Sequence, residues 1–261
     1  MAVNPYAAPQ SRVEDHLTAS IDGNFVPGGQ GVPAGNGWGW ISSAWEIFKQ
    51  QKGVWVGIFV IFAVILIVLN LIPFIGALLQ MFVLPVLYGG VMLGCEAVRR
   101  GESMTVGHLF AGFSRNTGRL VGVGALSLGF FIVILVVIML IFGSDMARIF
   151  MGSEPTPEQM QTIGMRMLLA VLIMLLLSIP FYMALWFAPV LIVLNDHTIG
   201  AALKASFSAC LKNILPFLVY GIVFFVFAIL ATIPLGLGWL LLGPVLLASI
   251  YTAYRDIFYE T

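Results

Sequence analysis

Residues 54–97 read VWVGIFVIFAVILIVLNLIPFIGALLQMFVLPVLYGGVMLGCEA and carry a single charge, Glu96, close to their end. A helix that crosses a bilayer needs roughly 20 mostly apolar residues. The stretch holds two such runs, about 54–72 and 76–97, on either side of Ile72-Pro73-Phe74. Proline removes a backbone donor and clashes with the preceding turn, so the stretch predicts a helix, a turn and a returning helix. Four further runs of the same kind follow, at about 119–142, 165–194, 214–233 and 236–254. The chain is therefore read as an all-α polytopic membrane protein with six transmembrane helices. The fourth run is too long for one untilted crossing and contains Pro180 and Pro189, which predicts a kink or a projection beyond the membrane.

Composition leads to the same class. Of 261 residues, 60% are apolar and 9% are charged, whereas a soluble domain averages about 25% charged residues. Such a chain cannot coat a water-facing globule, which excludes a soluble enzyme, a secreted disulfide scaffold and a nucleic-acid binder. Two cysteines, Cys95 and Cys210, make no disulfide framework. His108 and His197 stand at no ligand spacing, so no metal and no cofactor is expected. Residues 1–37 are rich in Gly, Pro, Asn and Ser and lack an apolar signal-peptide core, which predicts a disordered cytoplasmic tail ahead of a membrane domain over 38–258.

The Ile72-Pro73-Phe74 string returns as Ile179-Pro180-Phe181 and as Ile233-Pro234-Leu235. Each copy is followed nine to twelve residues later by the same triplet: Pro85-Val86-Leu87, Pro189-Val190-Leu191 and Pro244-Val245-Leu246. Ahead of each odd-numbered span lies a short segment of mixed polarity. Ile41, Ala44, Trp45 and Phe48 form one helical stripe, Leu109, Phe110 and Phe113 a second, and Ala202, Leu203, Phe207, Cys210 and Leu211 a third. Thr105 and Thr198 open the last two as N-caps. The expected unit is an interfacial amphipathic helix, a span, a proline-marked turn and a second span. Three parallel copies, about 38–101, 102–197 and 198–258, predict a pseudo-threefold arrangement. The middle copy carries extra residues near 143–166, where Thr156 and Pro157 read as an N-cap and first helical position.

Orientation follows from basic residues in the flanks. Arg12, Lys49, Lys52, Arg99, Arg100, Arg115, Arg119, Lys204, Lys212 and Arg255 fall on one face, and only Arg148 and Arg166 on the other. Both termini are thus expected in the cytoplasm, with the chain in a bacterial inner membrane.

The spans hold no Asp, Lys or His, and Glu and Arg occur only at their edges. Ion-coupled pumps and intramembrane proteases depend on such groups, so no enzyme is expected. Asn70, Gln80, Ser127, Ser178, Thr232 and Ser249 read as interhelical hydrogen bonds or helix-end groups. Gly90-x-x-x-Gly94 and Gly118-x-x-x-Gly122 read first as packing within the monomer and second as a homo-oligomer or membrane-protein contact. Pro73, Pro85, Pro180, Pro189, Pro234 and Pro244 read as kinks or turns. Arg99, Arg100, Arg115, Arg119, Lys204 and Lys212 form the candidate site, a basic collar for anionic membrane lipid at about 1 kcal/mol per well-placed residue.

Residues 32–40 (VPAGNGWGW), Pro85-Val86-Leu87, Gly94-Cys95, Arg100-Gly101-Glu102 and residues 108–113 (HLFAGF) resemble a family of uncharacterised bacterial inner-membrane proteins. More loosely, the pattern of a surface helix plus two spans is similar to the membrane domain fused to some bacterial glycerophosphoryl diester phosphodiesterases. The resemblance covers roughly 32–258 and implies no active site, since the phosphodiesterase catalytic domain has no counterpart in this sequence. The expected function is a non-catalytic integral inner-membrane protein, a lipid-interacting scaffold or accessory subunit. The alternative is a facilitative transporter or lipid-handling protein with a cavity on the pseudo-threefold axis.

Overall fold

The computed structural model describes residues 23–152 and 156–260. Apart from one isolated bridge between Phe25 and Tyr259, its regular structure is helical. In chain order the helices are α1 (Asn36–Gln50), α2 (Lys52–Asn70), α3 (Ile75–Arg99), a 3-10 helix (Val106–Phe113), α4 (Thr117–Phe150), α5 (Pro157–Trp186), α6 (Ala188–Asn195), α7 (Ile199–Lys212), α8 (Ile214–Thr232) and α9 (Trp239–Phe258). Six stretches are long and apolar enough to cross a membrane, and they coincide with the six runs read from the sequence. The bridge brings both ends of the described chain to one end of the bundle, here the terminal end. The turns 71–74 and 233–238 lie at the opposite, loop end.

Burial is uneven among these helices. Helices α3, α6 and α9 form the core, where Val86, Leu87, Val190, Leu191 and Val245, all from the three Pro-Val-Leu triplets, are buried. Helices α2, α4, α5 and α8 lie outside, with few of their residues buried and many of their Leu, Ile, Val and Phe exposed. Lipid tails are as apolar as leucine, so these side chains have no drive to turn inward. The core helices are instead those with small residues: Gly89, Gly90 and Gly94 in α3, Ala188 in α6, Gly243, Ala248 and Ala253 in α9. Several scattered polar residues find partners. Asn70 donates to Gln80 at 3.3 Å across the first turn, Trp239 donates to Thr232 at 3.2 Å, and Ser249 meets the Tyr220 hydroxyl at 2.8 Å.

The prolines divide into two groups. Pro73 and Pro234 sit in turns, where Phe74 and Leu235 take φ of 60° and 54°. Pro180, read as a kink or turn within the fourth run, lies inside α5. Thr156 caps the start of that helix by accepting from the Gln159 amide at 3.3 Å, and Pro157 follows. Pro85 and Pro244 lie inside α3 and α9. Pro189 opens α6, just after the fourth span breaks at Phe187. Ser206 of α7 causes that break locally: its hydroxyl accepts from the Phe187 amide at 2.9 Å and donates to the Met183 carbonyl at 2.7 Å. A hydroxyl inserted between residues i and i−4 opens the helical ladder.

The three short helices are each cut off from the next span, at Gln51, at Ser114 to Asn116 and at Asn213. Each packs on spans of another part of the chain: α1 on α8 and α9, the 3-10 helix on α2 and α3, and α7 on α5 and α6, the two parts of the fourth span. The segment at 106–113 is a 3-10 helix rather than the expected amphipathic α-helix. Its approach to α3 is set by glycines, with Gly112 against the Val86 carbonyl and Gly90 against the His108 and Leu109 carbonyls. The apolar stripes are buried in part: Ile41, Ala44 and Phe48 in the first, Leu109 in the second, Ala202 and Cys210 in the third, while Trp45, Phe110, Phe113 and Phe207 of the same stripes are exposed. Gly112, Ala205 and Ala209 join the buried faces, and small residues allow the close approach.

The expected disordered tail is ordered over 23–37; its first 22 residues lie outside the described residues. The Val26 and Gln30 amides donate to the Phe258 and Ile257 carbonyls at 2.8 and 2.9 Å. Phe25 stacks on Phe258. Buried Asn213 accepts from the Val32 amide at 2.8 Å and donates to the Gln30 carbonyl at 2.8 Å. Glycine and proline made this segment look unstructured, but its backbone polar groups are satisfied by the ends of α7 and α9 rather than by a helix or sheet of its own.

Candidate functional site: a basic pocket at the terminal end

The last turn of α3 places Arg99 and Arg100 three and four residues after Glu96, so both reach back to one carboxylate. Arg99 meets it as a fork, Nε to Oε2 at 3.0 Å and Nη2 to Oε1 at 2.6 Å, and Arg100 Nε donates to Oε1 at 2.9 Å. From α9, the Tyr251 hydroxyl donates to Glu96 Oε2 at 2.6 Å. One turn further along α9, Arg255 lies 3.7 Å over the centre of the Tyr259 ring, a cation–π contact. The connection after α3 contributes Glu102, His108 and Arg115. Together, Tyr251 apart, these residues line a cavity of about 390 Å³, with Leu93, Ala97 and Leu194 supplying its apolar wall. The His108 ring also receives the Thr105 amide at 3.0 Å, which fixes the start of the 3-10 helix beside the pocket.

Of the six residues expected to form a collar, the pocket gathers Arg99, Arg100 and Arg115. The other three stand elsewhere. Arg119 donates to the Asp196 carboxylate at 2.7 Å and to its carbonyl at 2.8 Å, clamping α4 to the end of α6. The Asn116 amide, and after it the Arg119 charge, hold the Asp196 carboxyl below the usual carboxylate range. Lys212 donates to the Gly28 and Gly29 carbonyls at 3.2 and 2.6 Å and so straps down the 23–37 segment. Lys204 is exposed on α7 and does not line the pocket. The sequence reading missed Arg255 as a site residue. Its signal was weak: it is one basic residue near the chain end, and only folding brings the end of α9 beside the end of α3.

The glycine motifs have different fates. A β-carbon on Gly90 would lie 2.5 Å from the His108 and Leu109 carbonyl oxygens, and one on Gly94 would lie 2.6 Å from the Met104 methyl. Gly122 packs on Ile199 at 2.5 Å by the same measure. Gly118, expected to pack, faces open space because it stands in the first turn of α4, beyond the reach of a neighbouring helix.

A second cavity, about 660 Å³, lies in the apolar layer between α3, α4 and α5. Met81, Tyr88, Ser127, Phe130, Ser178 and Tyr182 are among its lining residues, and the Phe130 and Phe181 rings stack 3.9 Å apart at its edge. Among the described residues no group of three or more His, Cys, Asp or Glu is placed to hold a metal. Both cysteines are buried and free, and burial pushes the Cys210 thiol up to about 12.

The chain is 27% identical, over 252 residues, to a protein of Burkholderia thailandensis described as a probable inner membrane protein, covering 87% of this chain and 92% of that one. No solved structure gives a significant match. Residues 38–254, nearly all of the helical bundle, match the family described as a domain of unknown function, DUF7847, and the chain belongs to that family.

Proposed function

We propose that this protein is a non-catalytic integral inner-membrane protein that interacts with anionic lipid as a scaffold or accessory subunit, with both termini in the cytoplasm. The observation that carries the reading is the convergence of Arg99, Arg100, Arg115 and Arg255 on one pocket at the ends of the spans, where a lipid headgroup would lie. Basic residues near a membrane surface contribute about 1 kcal/mol each toward anionic lipid. The Burkholderia relative's description supports the location, and the ten-to-two distribution of basic residues supports the orientation.

The same reading takes the six spans as three copies of one unit. Its support is the order of packing: the short helix of the second unit lies on the spans of the first, that of the third on the second, and that of the first on the third. This is the pattern of a closed ring, and Val86, Leu87, Val190, Leu191 and Val245 of the three Pro-Val-Leu triplets are buried in the core. The looser likeness to the membrane domain of the phosphodiesterases rests on that unit alone. A second reading, a lipid-handling protein or facilitative transporter, is favoured by the 660 Å³ cleft. The cleft is lined mainly by α3, α4 and α5, however, and Leu87, Leu191 and Tyr254 are fully buried in the core formed by α3, α6 and α9.

The test is retention of lipid. Protein extracted from nanodiscs of mixed phosphatidylglycerol and phosphatidylcholine is examined by native mass spectrometry, wild type against an Arg115→Gln, Arg255→Gln double variant. These two positions leave the Glu96 pairings with Arg99 and Arg100 in place. Loss of about 1 kcal/mol at each predicts retention of anionic lipid lowered by roughly thirtyfold. Equal retention would reduce these arginines to topology signals.

A further inference from the structure

We infer that the 660 Å³ cleft between α3, α4 and α5 binds an isoprenoid quinone, an uncharged flat ring with two carbonyl acceptors on an apolar tail. The site is independent of the arginine pocket, with which it shares no lining residue. Its hydroxyls name the ligand first. Ser127, Thr232 and Ser249 each donate to a backbone carbonyl three or four residues back, at 3.2, 2.8 and 2.7 Å. Ser178 of α5 makes no such bond. The hydroxyls of Tyr88 on α3 and Tyr182 on α5 likewise meet no hydrogen-bond partner among the described residues. All three line the cleft. Tyr88 and Ser127 lie about 16 and 15 Å along α3 and α4 from Arg99 and Thr117, which puts the cleft near the middle of a hydrocarbon core about 30 Å thick. An unpaired hydroxyl is costly at that depth. A ligand carbonyl accepts from it, whereas a plain acyl chain offers it nothing.

The rest of the wall points the same way. Tyr88, Phe130, Phe131, Phe181, Tyr182 and Trp186 bring six aromatic rings to the cleft, and Phe130 of α4 lies nearly parallel to Phe181 of α5 at 3.9 Å between centres. Ring faces of this kind stack on a flat conjugated ligand. Among the described residues no Asp, Glu, Lys, Arg or His lines the cleft, so a phospholipid headgroup would find no counter-charge there. Met92 and Val190 are buried on its inner side, while Phe131 and Tyr182 are 40% and 61% exposed on α4 and α5. The cleft therefore opens sideways, toward lipid, which is where a quinone is dissolved. Its volume falls within the range of small-ligand pockets, roughly 300–1,000 Å³. That accommodates the ring and the first isoprene units, and the remaining tail passes out beside Phe131 and Tyr182 into the bilayer.

The test is thermal unfolding of the full chain in lipid-free detergent, titrated with decylubiquinone, with the naphthoquinone phylloquinone, and with farnesol, an isoprenoid alcohol that lacks the ring. A saturable rise in melting temperature with either quinone, and none of comparable size with farnesol, is the expected result. A Tyr88→Phe, Ser178→Ala, Tyr182→Phe variant removes the three donors and keeps the rings. Because these hydroxyls bond to no protein group, its melting temperature without ligand should match the wild type, and its affinity for the quinone should fall by about tenfold or more. Trp186 reports the place: saturable quenching of tryptophan emission by the quinone should shrink in a Trp186→Phe variant. No saturable shift with either quinone, or an equal shift with farnesol, overturns the inference. Undiminished affinity in the triple variant does the same, as does quenching unchanged without Trp186. A lower melting temperature of the triple variant without ligand would show the hydroxyls to be partnered already and remove the premise. None of these outcomes bears on retention of anionic lipid through Arg115 and Arg255, so the two readings stand or fall separately.

Discussion

At Gly90 a single added carbon would have nowhere to go. The atoms it would meet, the carbonyl oxygens of His108 and Leu109 at 2.5 Å, belong to backbone and cannot rotate away. Gly90→Ala should therefore force the 3-10 helix off α3, at a cost of about 1–3 kcal/mol for overpacking. Gly118→Ala provides the contrast, because its β-carbon enters open space and alanine is the better helix former by up to about 1 kcal/mol. Melting temperatures in one detergent should fall by several degrees for the first variant and hold or rise slightly for the second. Equal behaviour of the two would remove the packing role assigned to Gly90. The sequence offers both glycines in identical G-x-x-x-G frames, so spacing alone could not distinguish them. What separates them is whether a second backbone lies within contact distance.

Among the elements, the break between α5 and α6 is the clearest case of one helix reshaping another. Pro180 and Pro189 announce a disturbed fourth span, yet the α-helix continues through Pro180 and ends at Phe187, between the two. Ser206, fully buried on α7, intercepts the hydrogen bond that Phe187 would otherwise make to Met183. Ser206→Ala leaves that amide and carbonyl without their partner, and an unsatisfied buried polar group costs about 1–3 kcal/mol. The expected outcome is a loss of stability of that size, read by thermal unfolding in detergent. An unchanged melting temperature would show that the prolines alone maintain the break. The short helices carry the same lesson at larger scale. Their apolar stripes were readable as periodicity, but which apolar residues face protein was not, because lipid accepts phenylalanine as readily as a protein core does.

Across the whole molecule, α4 and α5 reach furthest. At 1.5 Å per residue, their 34 and 30 residues run about 51 and 45 Å, well beyond a hydrocarbon core of about 30 Å. Their loop-end segments are joined by the ion pair between Arg166 and Asp145 at 2.7 Å. Phe150, 93% exposed at the end of α4, is a reporter for the side of the membrane on which this projection stands. A Phe150→Cys variant should be labelled by an impermeant maleimide in intact cells if both termini are cytoplasmic. Labelling only after lysis would reverse the orientation. Background from the two native cysteines should be low: Cys95 is buried within a span, and burial of Cys210 keeps its thiol protonated up to about pH 12.

The sequence alone determined the class, the number of spans and their approximate limits, because a continuous apolar run has one stable state in a bilayer, a helix with its backbone bonds closed on itself. It also determined the caps at Thr105, Thr156 and Thr198, which depend on neighbours three residues away. Tertiary structure decided what depends on distant partners. It ordered residues 23–37 through Asn213 and the end of α9, it broke the fourth span at Phe187 through Ser206, and it separated Gly90 from Gly118. It also divided the basic residues, sending Arg119 to Asp196 and Lys212 to the Gly28 and Gly29 carbonyls while drawing Arg255 to the arginines of α3. Charge in a sequence records how many cations stand near a membrane surface. Whether they meet in one pocket depends on which helix ends the packing of small residues allows to come together.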